Sequence, residues 1–194
     1  IISSLSLIPA YREKVLDLTV VWSIYSSGLV NCDIKAVKNM KTPYLPRFGV
    51  ELKLNKSYEH VSYFGSGPYE NYIDKNSSCY LGRFNSTVSE MHEDYIKPQE
   101  NGSHHFCREV SISNTKKTIY VLSENDFAFN ASHFSINQLT NTDHNFELNK
   151  EDLTYLIIDY KQSGIGSNSC GPDLPDEYRF NESEFSYNFY LKFL

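Results

Sequence analysis

Apolar residues recur at every second position over long stretches of this chain, a period that fits a half-buried β-strand and not a helix. In Val30-Asn31-Cys32-Asp33-Ile34-Lys35-Ala36 the even positions are apolar and the odd ones polar. Phe48, Val50, Leu52 and Leu54 alternate with Gly49, Glu51 and Lys53, and Phe185, Tyr187, Phe189, Leu191 and Phe193 with Ser186, Asn188, Tyr190 and Lys192. The same reasoning predicts strands at Val15–Tyr25, Tyr58–Tyr63, His105–Ser113, Thr118–Ser123, Phe127–Ser132, Asn145–Leu148, Thr154–Tyr160 and Tyr178–Phe180. One helical turn is expected over Ser135–Asn141. Turn signals separate the runs at short spacing: Ser26-Ser27-Gly28, Lys41-Thr42-Pro43, Asn101-Gly102 and Gly171-Pro172. Many short strands between such turns predict an all-β fold, an antiparallel β-sandwich or barrel. With no internal repeat or low-complexity linker, residues 1–194 are read as a single domain.

Composition narrows the function. A 194-residue chain buries roughly 70% of its unfolded surface, enough for a core without staples. Fifteen Tyr and twelve Phe favour strands. The net charge of −6 argues against a nucleic-acid partner, which requires clustered Lys and Arg. The longest uncharged apolar run, Leu18 to Tyr25, is too short for a bilayer, which takes about 20 residues, so no membrane partner is expected. Ile1-Ile2-Ser3-Ser4 lacks the charged and apolar regions of a signal peptide. Cys32, Cys79, Cys107 and Cys170 show no zinc spacing and are read as reduced thiols. The Asn-x-Ser/Thr sequons, from Asn55 to Asn181, are expected by chance in a chain rich in Asn and Ser and say nothing of secretion.

Three stretches break the alternation and are too specific for plain turns: Phe64 to Lys75, Lys97 to Gly102, and Ser163 to Pro172. Loops on a rigid sheet scaffold are where function usually sits. Gly65-Ser66-Gly67 lacks the third glycine and the following helix of a phosphate loop, and is read as a sharp turn with positive φ. Glu70, Asp74 and Glu100 are the carboxylates in these loops. They suit a glycosidase pair flanking a sugar, or they bind backbone amides and cations to stiffen the loops; the second reading is preferred. His104-His105 points to opposite faces of a strand, so the two imidazoles do not share a metal. Cys170 is read as a packed thiol. Tyr69, Tyr72 and Tyr95 either form a sugar platform or cap the sandwich end; the residues alone leave both open.

The three stretches also carry a family resemblance. Tyr63 to Lys75 resembles the G-x-G-P-x-E-N-Y-x-D-R signature of the C-terminal domain of large bacterial β-galactosidases, glycoside hydrolase family 2. Pro98-Gln99-Glu100-Asn101-Gly102, followed by Arg108, is similar to that domain's P-Q/S-E-N-G segment. Gly164-Ile165-Gly166-Ser167-Asn168-Ser169-Cys170-Gly171-Pro172 is similar to its G-I/V-G-G/S-D/N-x-S-W/C loop, and Pro46-Arg47-Phe48-Gly49 to its P-R-x-G. Order and spacing agree from about Leu16 to the end.

The resemblance implies the β-supersandwich shared with galactose mutarotase and a non-catalytic domain of a retaining galactosidase. It implies that Gly166, Ser167, Asn168, Ser169, Cys170, Glu70, Asn71, Asp74, Glu100 and Asn101 line the substrate pocket. It places the catalytic glutamates and Mg²⁺ in a separate TIM-barrel domain or large subunit, with no cofactor in this chain. The expected partners are that barrel and a galactoside, in an oligomeric enzyme of the bacterial cytoplasm. Two departures matter. Cys170 stands where a substrate-stacking Trp is usual, and Lys75 replaces Arg, losing the planar fork for bidentate pairing. The family's W-R-A-P-x-D-N-D segment is not found, so the domain is expected to begin before Ile1, leaving a strand edge uncovered and the chain prone to self-association. An aldose 1-epimerase on the same scaffold and a purely structural assembly module are the alternatives.

Overall fold

The computed structural model describes residues 1–10, 12–166 and 172–194. In chain order its elements are β1 (Ile2–Leu7), β2 (Leu16–Ile24), β3 (Leu29–Lys38), β4 (Arg47–Asn55), β5 (His60–Gly67), β6 (Tyr80–Thr87), β7 (His104–Ser113) and β8 (Thr118–Ser132). A short helix α1 (Ile136–Asn141), β9 (Leu153–Gln162) and β10 (Glu184–Phe193) complete the set.

Alternation placed most of these strands because most bury one face. Cys32, Ile34 and Ala36 of β3 and Phe185, Tyr187, Phe189 and Leu191 of β10 all point into the core. A side chain as fully buried as Phe189 contributes about 1.5–3 kcal/mol. Helix α1 starts where expected, with the Ser135 hydroxyl accepting the Gln138 N–H at its N-cap.

Several expectations are corrected. Thr118–Ser123 and Phe127–Ser132 are one 15-residue strand, β8. Asn145–Leu148 is not a strand: Asn145–Glu147 is a 3₁₀ turn, closed by the Glu147 carboxylate accepting the His144 N–H at 3.0 Å. Local side-chain bonding of this kind competes with ladder formation. Tyr178–Phe180 ends a second 3₁₀ turn, and only Phe180 pairs, in an isolated bridge with Leu45. Strands β1 and β6 were not anticipated. β1 is mostly exposed and β6 buries no residue fully, so both carry little burial pattern; backbone pairing orders them, helped in β6 by Phe84 against Tyr63.

All pairings are antiparallel, in the order β1-β2-β3-β10-β8-β7-β5-β6. The sheet forks at β8. Residues Ile119–Leu122 pair with β10, whereas Ala128–Ser132 pair with β9, which in turn carries β4. The branch lies over β10: Phe48 meets Phe185 edge-on at 5.0 Å, and Tyr160 stacks on Phe185 at 5.0 Å. The result is a β-sandwich built from one forked sheet.

Gly65 and Gly67 are not a turn. Both lie inside β5, and neither is among the positive-φ glycines. A Cβ on Gly65 would overlap the Cys107 thiol, and one on Gly67 the Tyr63 hydroxyl. Close approach, not backbone freedom, is what these glycines provide.

Candidate functional site

The three irregular segments meet at one rim. The first leaves β5, the second precedes β7, and the third follows β9. Asn71 sits fully buried at the first junction: its backbone N–H donates to Ser103 O at 2.8 Å, and its side-chain oxygen accepts the His105 N–H at 2.9 Å. Its amide group donates back to Ser66 O and Tyr69 O, so every polar atom of this side chain holds backbone. Glu70 beside it is also buried. One carboxylate oxygen accepts from Lys75 Nζ at 2.5 Å and from the Tyr95 hydroxyl; the other accepts the Gly102 N–H at 2.7 Å. Burial alone would raise this carboxyl, but these donors hold it below the usual carboxylate range. Gly102 has φ +71°, and a Cβ there would stand 2.5 Å from Met91 O, so only glycine fits under Glu70.

The second segment is anchored differently. Asn101 accepts the Glu93 N–H at 3.1 Å and donates to Gln99 O at 2.9 Å, while its carbonyl accepts from Asn130 on β8. The Glu100 carboxylate accepts from Arg47 Nη1 at 2.7 Å. Arg47 turns its other face to the fully buried Asp159 of β9, donating from Nη2 at 2.5 Å and Nε at 3.2 Å. Gln162 adds a bond to Asp159 at 2.8 Å. One guanidinium therefore ties β4, β9 and the second segment together through its planar fork. Glu100 is short of donors: its second oxygen is buried without a partner, and burial pushes its pKa to about 6 despite Arg47.

Asp74 makes the third junction. Its two carboxylate oxygens accept the N–H groups of Ile165, at 3.1 Å, and Gly166, at 2.8 Å. Gly166 has φ +78°. Ser163 secures the start of this segment, its hydroxyl donating to Leu45 O at 2.6 Å and accepting the Phe180 N–H at 2.9 Å. A hollow of about 330 Å³ lies where the second and third segments face each other, lined by Tyr44, Arg47, Glu100, Gln162 and Ile165. A larger groove, about 640 Å³, lies on β5, β6 and β7 with Phe64, Tyr80, Leu81 and Phe106 in its walls.

Of the residues expected to line a pocket, Glu70, Asn71, Asp74, Glu100, Asn101 and Gly166 are brought together here. Ser167, Asn168, Ser169 and Cys170 lie outside the described residues. The three loop tyrosines part company. Tyr72 is fully buried against His105, so it caps the sandwich end and offers no sugar platform. Tyr95 is engaged by Glu70 and Lys75, and only Tyr69 is broadly exposed. His104 and His105 do diverge, His104 onto Tyr63 and Phe129, His105 onto Tyr72. Burial lowers both imidazoles, His105 to about 4. Among the described residues no group of three His, Cys, Asp or Glu is set to hold a metal, and Cys32, Cys79 and Cys107 are unpaired. The hub, Arg47 with Asp159, escaped the sequence reading as a site. Its signal was there: Asp159 is the one charged residue in a run, Leu153 to Asp159, that the structure buries almost throughout.

Comparison with known sequences identifies a family. The sequence model of the family described as beta galactosidase small chain matches residues 3–191. The chain belongs to that family. It is 48% identical over 180 residues to a beta-galactosidase of Staphylococcus xylosus, covering 93% of this chain and 18% of the relative. With the beta-galactosidase of Actinobacillus pleuropneumoniae it shares 43% identity over 182 residues, again 18% of the relative's length. The beta-galactosidase of Kluyveromyces lactis is 32% identical over 178 residues, covering 89% of this chain and 17% of the relative. The chain thus spans under a fifth of the length of these relatives.

Proposed function

We propose that this chain is a non-catalytic domain of a β-galactosidase whose three-loop rim forms one wall of the galactoside pocket. The observation that carries the reading is how the rim uses its acids. Both oxygens of Glu70 and both of Asp74 are taken by donors within the rim, and Glu100 is tethered to Arg47. A retaining glycosidase needs one carboxylate free to attack and another free to protonate, about 5–5.5 Å apart across the sugar. These acids instead stiffen backbone, and a stiff rim is what a binding wall requires. Catalytic glutamates and Mg²⁺ then belong to the remainder of the enzyme, a barrel domain or large subunit against which this rim docks, in an oligomer.

The epimerase alternative is disfavoured by the same geometry. It needs a His and an acid open to the sugar's ring oxygen, whereas His104 and His105 are buried. Buried, unpaired Cys32 and Cys107 suit a reducing compartment, in keeping with a cytoplasmic enzyme. No helix among the described residues is long and apolar enough to cross a membrane.

The test compares wild-type intact enzyme with Asn168→Ala and Glu70→Gln, following KM and kcat on nitrophenyl galactoside and the oligomeric state. Altered kinetics with intact oligomers supports the pocket wall. Normal kinetics with lost oligomers would show an assembly module instead, and steady turnover by the isolated chain would place catalysis here.

A further inference from the structure

We infer that Asp74 is a positioning residue for galactoside binding, holding the third segment at the point where it leaves β9; this deepens the pocket-wall reading and rests on it. Three observations converge on Asp74. Its carboxylate accepts two consecutive backbone N–H groups, Ile165 at 3.1 Å and Gly166 at 2.8 Å, an arrangement in which both oxygens fix backbone direction. Gly164, just before them, is shaped to the same carboxylate: a Cβ there would stand 2.5 Å from Asp74 Cγ, so any other residue would push the acid off its amides. Gly166, the donor of the second bond, has φ +78°, a left-handed conformation, so the carboxylate clamps the chain where its backbone bends.

Asp74 is also the described side chain that joins the first segment to the third. Glu70 joins the first to the second, Asn71 joins the first to Ser103 and to His105 of β7, and Arg47 joins the second to β9. Residues 68–75 are themselves pinned by Asn71 and by reciprocal backbone bonds between Tyr72 and Lys75 at 2.9 and 3.0 Å, so Asp74 hangs from a fixed turn. Where binding groups must be held to within fractions of an ångström, releasing one anchor acts on affinity through disorder of the free site. Asp74 acts through the third segment and not by contact with the substrate.

The experiment uses the intact enzyme with nitrophenyl galactoside. Asp74→Ala is expected to raise KM roughly tenfold, with a much smaller change in kcat, as loss of preorganisation predicts. Gly164→Ala, which attacks the same contact from the other side, is expected to give the same split. Asp74→Asn keeps the size and one acceptor oxygen, and is expected to give a smaller rise. It also serves if Asp74→Ala fails to assemble, read by faster amide exchange at Ile165 and Gly166. Asn168→Ala is run in parallel as a direct change in the third segment. A KM effect from Asn168→Ala with none from Asp74→Asn or Gly164→Ala overturns the inference while the pocket-wall reading stands. Unchanged kinetics in all of them overturns both.

Discussion

The rim and the β1–β2 corner are secured by opposite means. At the rim, Arg47 holds the buried Asp159, Glu70 holds Gly102, and Asp74 holds Ile165 and Gly166, so charge fixes backbone. At the corner, β1 stands at the end of the strand order and among the described residues pairs only with β2, leaving Ile2, Leu5 and Leu7 exposed. Its ion pairs, Lys14 with Asp17 and Lys41 with Glu13, stand in solvent. Exposed pairs contribute about 0–1 kcal/mol, whereas stripping one partner from a buried pair costs about 3–5 kcal/mol. The same sandwich therefore has one end fixed by buried charge and one held by ladder bonds, the buried face of β2 (Leu16, Leu18 and Val20) and solvent-exposed polar contacts.

The largest effect should come from removing the hub. Arg47→Ala leaves Asp159 buried and uncompensated, and should lower stability by about 3–5 kcal/mol in urea titrations. Lys14→Ala at the corner should cost under about 1 kcal/mol in the same assay. If the two match, charge does not distinguish the ends. Glu70→Ala is the next step down, about 2 kcal/mol, because the Gly102 N–H and Lys75 lose their acceptor.

Two neighbouring acids sharpen the comparison through pH. Glu70 is held below the ordinary glutamate pKa near 4.5, so its stabilising contribution is present above that pH and disappears as pH falls through its lowered value. Glu100 has the opposite sign. With its pKa raised to about 6, the folded chain binds the proton more tightly than the unfolded one, and stability falls as pH rises from 4.5 to 6. Replacing it, Glu100→Gln, should remove that decline between pH 4.5 and 6, and Glu70→Gln should weaken the loss at lower pH. A decline unchanged in Glu100→Gln would rule out this titration. The smallest effect belongs to the corner: Leu5→Lys should shift stability by no more than about 0.5 kcal/mol.

How far the sequence disclosed all this depends on what each residue does. Period two exposed β3 and β10 because their strands have one wet face and one dry one. It missed β6, where Tyr80 and Leu81 are both exposed and pairing with β5 supplies the order. It misplaced Asn145–Leu148 because that reading ignored the Glu147 carboxylate reaching back to the His144 amide. The rim was marked by its broken alternation, and the stiffening role preferred for Glu70 and Asp74 is the one the geometry displays. Which tyrosine is buried was not legible, since Tyr69, Tyr72 and Tyr95 differ only in direction. Nor was the Arg47–Asp159 pair, whose members lie more than a hundred positions apart and meet only once β4 pairs with β9.

The claim that matters most is that the three segments behave as one body. Amide exchange measured residue by residue in wild type and Glu70→Gln tests it, because Glu70 bonds to Gly102 and makes no contact with Ile165 or Gly166 among its hydrogen bonds. If the three segments do behave as one body, Glu70→Gln speeds exchange at Gly102 and, by a comparable factor, at Ile165 and Gly166. Faster exchange confined to Gly102, with Ile165 and Gly166 at their wild-type rates, would contradict it.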